Sequence, residues 1–108
     1  MADSYTRDPS RVDKALRQKG IVVVMARDYA RNPQDVINTI QAISEAGYIA
    51  EVTLRIPEGI VKEAMVELRK RREETFRTRP NDPMVIGVGS VINPRELEAA
   101  IEMGFDMV

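Results

Sequence analysis

Apolar runs and capped amphipathic stretches alternate along this chain, and that alternation narrows the folds open to it. Ile21 to Ala26 (IVVVMA) is apolar on both faces, as suits a strand covered on both sides in a parallel sheet. Asn32-Pro33 then opens a helix, with Asn as N-cap and Pro at the first helical position. Val36, Ile37, Ile40 and Ile43 form its apolar stripe, and Gly47 stops it. Ile49 to Leu54 has the length of a second strand. A helix from about Gly59 turns Ile60, Val61, Ala64, Met65 and Leu68 inward. Met84 to Val88 makes a third strand. Asn93-Pro94 opens another helix, with Leu97, Ala100 and Ile101 inward and Gly104 at its end. Phe105 to Val108 (FDMV) begins a fourth apolar strand. Before all these, Ser10 is expected to cap a short helix through Gln18, with Val12, Ala15 and Leu16 inward. Residues 1–9 read as a loose arm.

Strand-helix alternation of this kind implies parallel strands joined by right-handed crossovers. Two architectures compete. In a doubly wound sheet the second strand can lie at an edge. In a (β/α)8 TIM barrel the strands follow sequence order, so the second lies between the first and third. A full barrel needs about 200 residues or more, and the 108 residues here hold about three and a half units. The expected fold class is therefore α/β, parallel βα units of a TIM barrel amounting to a half barrel. Residues 1–9 would be a flexible N-terminal arm, and residues 10–108 the N-terminal half of the barrel domain. A repeat points the same way. Asn32-Pro33-Gln34-Asp35-Val36 matches Asn93-Pro94-Arg95-Glu96-Leu97, and ISEAGY (Ile43 to Tyr48) resembles AIEMGF (Ala100 to Phe105). Recurrent good caps or an internal βα repeat would each produce this.

Composition closes several routes. With no Cys there is no disulfide framework and no thiolate chemistry, and with no His the commonest general base and metal ligand is gone. Sixteen basic and seventeen acidic residues give a formal net charge of -1, which gives no support for a nucleic-acid or membrane-surface role. The stretch RKRREE (Arg69 to Glu74) has no apolar face and reads as a solvated helix overhang. The N-terminus lacks a signal-peptide apolar region, so the expected setting is cytoplasmic.

The chemistry concentrates in three places. In EVTLR, alternation puts Glu51, Thr53 and Arg55 on one strand face. That face is either the wet side of an edge strand or, if the strand is central, the lining of a site. Interior charges need a partner or a ligand, because burying them unpaired costs several kcal/mol each. The Cα atoms of residues 51 and 55 are about 13 Å apart at roughly 3.3 Å per residue, so a small anion could lie between them. In GVGSVINP (Gly87 to Pro94) a strand ends in two spaced glycines and a hydroxyl, Ser90, before a capped helix. Glycines admit close backbone approach, although tight βα packing explains them as well. Arg27, at the end of the first strand, is a solvated residue or a third member of the same mouth.

EVTLRIPEG followed by VIGVGSVINPREL resembles the bacterial 2-keto-3-deoxy-6-phosphogluconate/4-hydroxy-2-oxoglutarate aldolases, which are class I aldolases on a (β/α)8 barrel. IVVVMAR and GFDMV also resemble that family's first and fourth strands, and the resemblance covers about residues 20–108. It implies an enzyme, a lyase, that cleaves a 2-keto-4-hydroxy acid to pyruvate and an aldehyde through a Schiff base. By the same resemblance Glu51 shuttles protons and Arg55 binds the substrate carboxylate. Ser90 stands where the family usually has Thr; Gly89, Thr53 and Arg27 complete the substrate-binding set. The resemblance further implies no metal, no other cofactor, a small 2-keto acid as substrate, and a homo-oligomer, a trimer in that family. The family's Schiff-base lysine lies beyond its fourth strand. The lysines here are Lys14, Lys19, Lys62 and Lys70, all read as helix-borne and exposed, so the chain alone is expected to be inactive. The segment between strands two and three, with RKRREETFRTRPNDP, is longer than the family pattern. Two alternatives stand beside this reading. One is another phosphate-binding TIM barrel of epimerase type. The other is a non-enzymatic α/β binding or assembly module, which would place the second strand at an edge with Glu51 in water.

Overall fold

A computed structural model describes residues 8–81 and 84–108 of the chain. The described elements are α1 (Pro9–Lys19), β1 (Val22–Val24), a 3-10 turn at Arg27–Tyr29, α2 (Pro33–Glu45), β2 (Ile49–Thr53), α3 (Glu58–Thr78), β3 (Ile86–Gly89) and α4 (Pro94–Met103). They form a small α/β domain with a three-stranded parallel sheet ordered β1-β2-β3.

The two Asn-Pro segments fold alike. Asn32 accepts a hydrogen bond from the Asp35 amide at 2.9 Å, and the Asp35 carboxylate accepts one from the Arg31 amide at 3.0 Å. Asn93 accepts from the Glu96 amide at 2.9 Å, and Glu96 accepts from the Ile92 amide at 2.9 Å. In each segment the Asn satisfies one orphan N–H of the first turn, and the acid at the third helical position reaches back to the amide just before the cap. Gly104, at φ 88, ends α4 in the left-handed conformation a glycine adopts without strain.

Register decides what faces what. Val24 pairs with Glu51 and Glu51 with Gly87; Thr53 pairs with Gly89. Ala50, Val52, Ile86 and Val88 turn to the helices and join Val36, Ile37 and Ile40 of α2 and Val61, Ala64, Met65 and Leu68 of α3 in the main core. On the opposite face Ile49 and Val85 pack on Ala15 of α1, flanked by Val12, Val22 and Met107. Helix α1 therefore covers the amino-terminal end of that face.

After α4 the chain returns beside β3. The Asp106 amide donates to Ile86 O at 2.8 Å, the Val88 amide donates to Met107 O at 2.9 Å, and Gly87 bridges Met107 in parallel. The strand positions thus follow sequence order, with β2 between β1 and β3. A sheet with strand two at its edge is not what forms.

Several expectations need correction. Arg72, within the supposedly solvated RKRREE, is 3% exposed. It donates to Asp106 Oδ2 at 3.0 Å and to Gly104 O at 2.6 Å. The fourth segment is accordingly not simply apolar, since Asp106 is buried within it. Strand one is not covered on both faces: Val24, on the Glu51 face, is 57% exposed. Leu16 at 40%, Leu97 at 41% and Ile101 at 48% are not inward; Met103 fills the α4 position instead. Helix α1 is capped by Asp8 rather than Ser10. Hydrogen bonds from the Ser10 hydroxyl and amide hold the Asp8 carboxyl below its usual range. Residues 1–7 of the expected arm lie outside the described residues.

Breaking the buried Arg72–Asp106 pair leaves an uncompensated charge. Arg72→Met or Asp106→Asn is therefore expected to lower urea-unfolding stability by about 3–5 kcal/mol. Replacing both by apolar residues should recover a large part of that. Single variants as stable as the wild type would contradict the role given to the pair.

Candidate functional site

The face of β2 opposite the main core carries Glu51 and Thr53, both half-buried. Alternation fixes their shared direction, and the central place of β2 fixes their neighbours. On one side are Val22 and Val24 of β1, and on the other Gly87 and Gly89 of β3.

The two glycines do different things. A Cβ on Gly87 would sit 2.8 Å from Met107 Cε, so the slot it leaves is filled by a thioether. A Cβ on Gly89 would sit 3.1 Å from Glu51 Oε2 and 3.2 Å from its Cδ. The Glu51 carboxylate therefore lies over Gly89, in space that any side chain there would contest. Toward α1, an open cleft of about 370 Å³ is lined by Pro9, Val12, Glu51, Asp106, Met107 and Val108.

At the carboxyl end of the strands the backbone turns sharply. Leu54 N–H donates to Gly89 O at 3.1 Å and Ile56 N–H to Thr53 O at 3.2 Å. Ser90 has φ 62, the one left-handed non-glycine residue among those described. Its hydroxyl lies 3.2 Å from the Thr53 hydroxyl, which donates to it. The Arg55 amide in turn donates to Thr53 Oγ1 at 3.2 Å. The strand order thus brings together Glu51, Thr53, Gly89 and Ser90, four of the residues expected from the sequence.

The arginines are less engaged. Arg55 is exposed, just beyond the end of β2. Arg27 lies in the 3-10 turn after β1 and not on the strand. It is exposed, with its nearest carboxylate, that of Asp28, 4.0 Å away. The four lysines are all on α1 and α3, as expected, although Lys19 is half-buried. Met107 was not foreseen. Its only sequence signal is the missing side chain at Gly87, whose slot needed an occupant.

A carboxylate and a hydroxyl pair on one sheet face can accept a proton and donate to an anionic group, respectively. No family model, curated protein or solved structure matches the chain, so a functional reading rests on these residues themselves. Among the described residues no helix is long and apolar enough to cross a membrane.

Gly89→Ala tests the packing of the carboxylate directly. The Glu51 end is flexible, so stability should change by no more than about 1 kcal/mol. The Glu51 Cδ resonance should move, because the carboxylate must leave its seat. An unmoved resonance would show that the carboxylate does not rest on Gly89.

Proposed function

We propose that these residues supply the proton-transfer and carboxylate-binding part of a Schiff-base (class I) aldolase site for 2-keto acids, carried on the first three and a half units of a (β/α)8 barrel. The observation that supports this most is the Glu51 carboxylate on the central strand, seated over Gly89 on the same face as the Thr53–Ser90 hydroxyl pair. Strands in sequence order and a polar group near the carboxyl end of the sheet are what a barrel enzyme requires.

The chemistry follows from the groups. A primary amine and a 2-keto-4-hydroxy acid condense with loss of water to a protonated imine. Glu51 takes the proton of the C4 hydroxyl as the C3–C4 bond breaks, the electron pair passes to the protonated imine nitrogen to leave an enamine, and an aldehyde leaves. Glu51 then returns the proton to C3 of the enamine, giving the protonated imine of pyruvate. The Ser90 hydroxyl and the Arg55 guanidinium hold the substrate carboxylate, with Arg27 at the same end of the sheet. None of the four lysines stands at the carboxyl end of a strand, so the amine comes from polypeptide outside these 108 residues. The reading calls for no metal or other cofactor. It implies a cytoplasmic homo-oligomer, a trimer by resemblance.

The edge-strand arrangement that would favour a non-enzymatic module is absent, because β2 is central. The test supplies the missing amine from solution. With methylamine and pyruvate in deuterium oxide, the chain should accelerate deuterium uptake at pyruvate C3 by about tenfold or more, and Glu51→Gln should abolish the gain. Borohydride trapping should leave all four lysines unmodified. Equal exchange with and without the chain, or a pyruvyl adduct on any of the four, would overturn the proposal.

A further inference from the structure

We infer that Thr53 is a positioning residue, one that orients the Ser90 hydroxyl as an outward donor instead of touching the ligand itself; the inference rests on the functional reading above.

The two hydrogen bonds share Thr53 Oγ1: it accepts from the Arg55 N–H, and it lies 3.2 Å from Ser90 Oγ. With a Thr53 lone pair taken by the Arg55 amide, the shared proton is assigned to Thr53, so Ser90 receives at its oxygen and keeps its own proton to give. A hydroxyl that already accepts a bond is the better donor, because successive bonds polarise one another. Thr53 is half-buried while Ser90 is exposed, so the chain of bonds leads from the sheet to the open end.

The backbone supports the same direction. Ser90 stands at φ 62, a left-handed conformation that strains a non-glycine residue. Something must hold it there. The bond to Thr53 ties its side chain to β2, and the Leu54 N–H bond to Gly89 O ties the preceding residue. Threonine suits the inner position. Its branched Cβ leaves few rotamers, so the hydroxyl is aimed by the strand itself.

The test uses the full chain and pyruvate as probe. Thr53→Val should weaken pyruvate binding by about five- to tenfold, the loss of one hydrogen bond of ordinary strength. Thr53→Ser should bind within about twofold of the wild type. Ser90→Ala should lose as much as Thr53→Val, and the double variant no more than Ser90→Ala alone, because both act through one donor. Losses that add, or Thr53→Val binding like the wild type, would overturn the inference. If the wild-type chain does not bind pyruvate, the functional reading fails. The positioning role is then judged by the amide-to-Hα coupling of Ser90, which should change in Thr53→Val and stay in Thr53→Ser. An unchanged coupling in Thr53→Val would overturn it.

Discussion

The Arg72–Asp106 pair is the interaction on which the arrangement of this domain turns. It joins α3 to the segment after α4 at 3.0 Å, with both side chains almost wholly buried. The second donation of Arg72, to Gly104 O, fixes the turn where α4 ends. Asp106 also accepts from the Ile86 amide at 2.8 Å, so one ion pair locks a helix, a turn and a strand together. A buried pair of this kind gains little over a well-packed apolar replacement, yet it costs several kcal/mol when halved. Its effect is therefore one of placement. It holds residues 105–107 against β3, and that puts Met107 into the slot left by Gly87.

The candidate site depends on that placement. Gly87 is the register partner of Glu51, so the filled slot is beside the carboxylate, and the empty one at Gly89 is where the carboxylate rests. Two glycines spaced by one residue divide the face between a packed thioether and a polar group. Helix α1 packs on the amino-terminal end of the same face through Ala15 and Val12. The chemistry-bearing groups are left at the carboxyl end, where the loops turn.

Much of the fold was legible because it is locally encoded. Asn-Pro caps, glycine stops and apolar periodicity are set within a few residues, and they located α2, α3, α4 and the three strands. Period-two alternation put Glu51 and Thr53 on one face. What alternation could not supply was the order of strands, and that alone brings Thr53 to Ser90. The burial of Arg72 was illegible for a similar reason. Its partner is 34 residues along the chain, and nothing near Arg72 announces it. Leu97 and Ile101 misled in the other direction. At about 100° per residue they stand roughly opposite Ala99, Glu102 and Met103, which line the groove shared with α3. Their apolar character is local information, but what they meet is not.

On the proposed function, the polar face of β2 is a ligand site and not a wet surface. An amide-shift map of the labelled chain titrated with pyruvate tests it most directly. A ligand site there gives shifts confined to Glu51, Thr53, Arg55, Gly89 and Ser90, saturating together with one affinity. Shifts that never saturate, or that spread over the exposed lysines of α1 and α3 while Gly89 and Ser90 stay still, would contradict it.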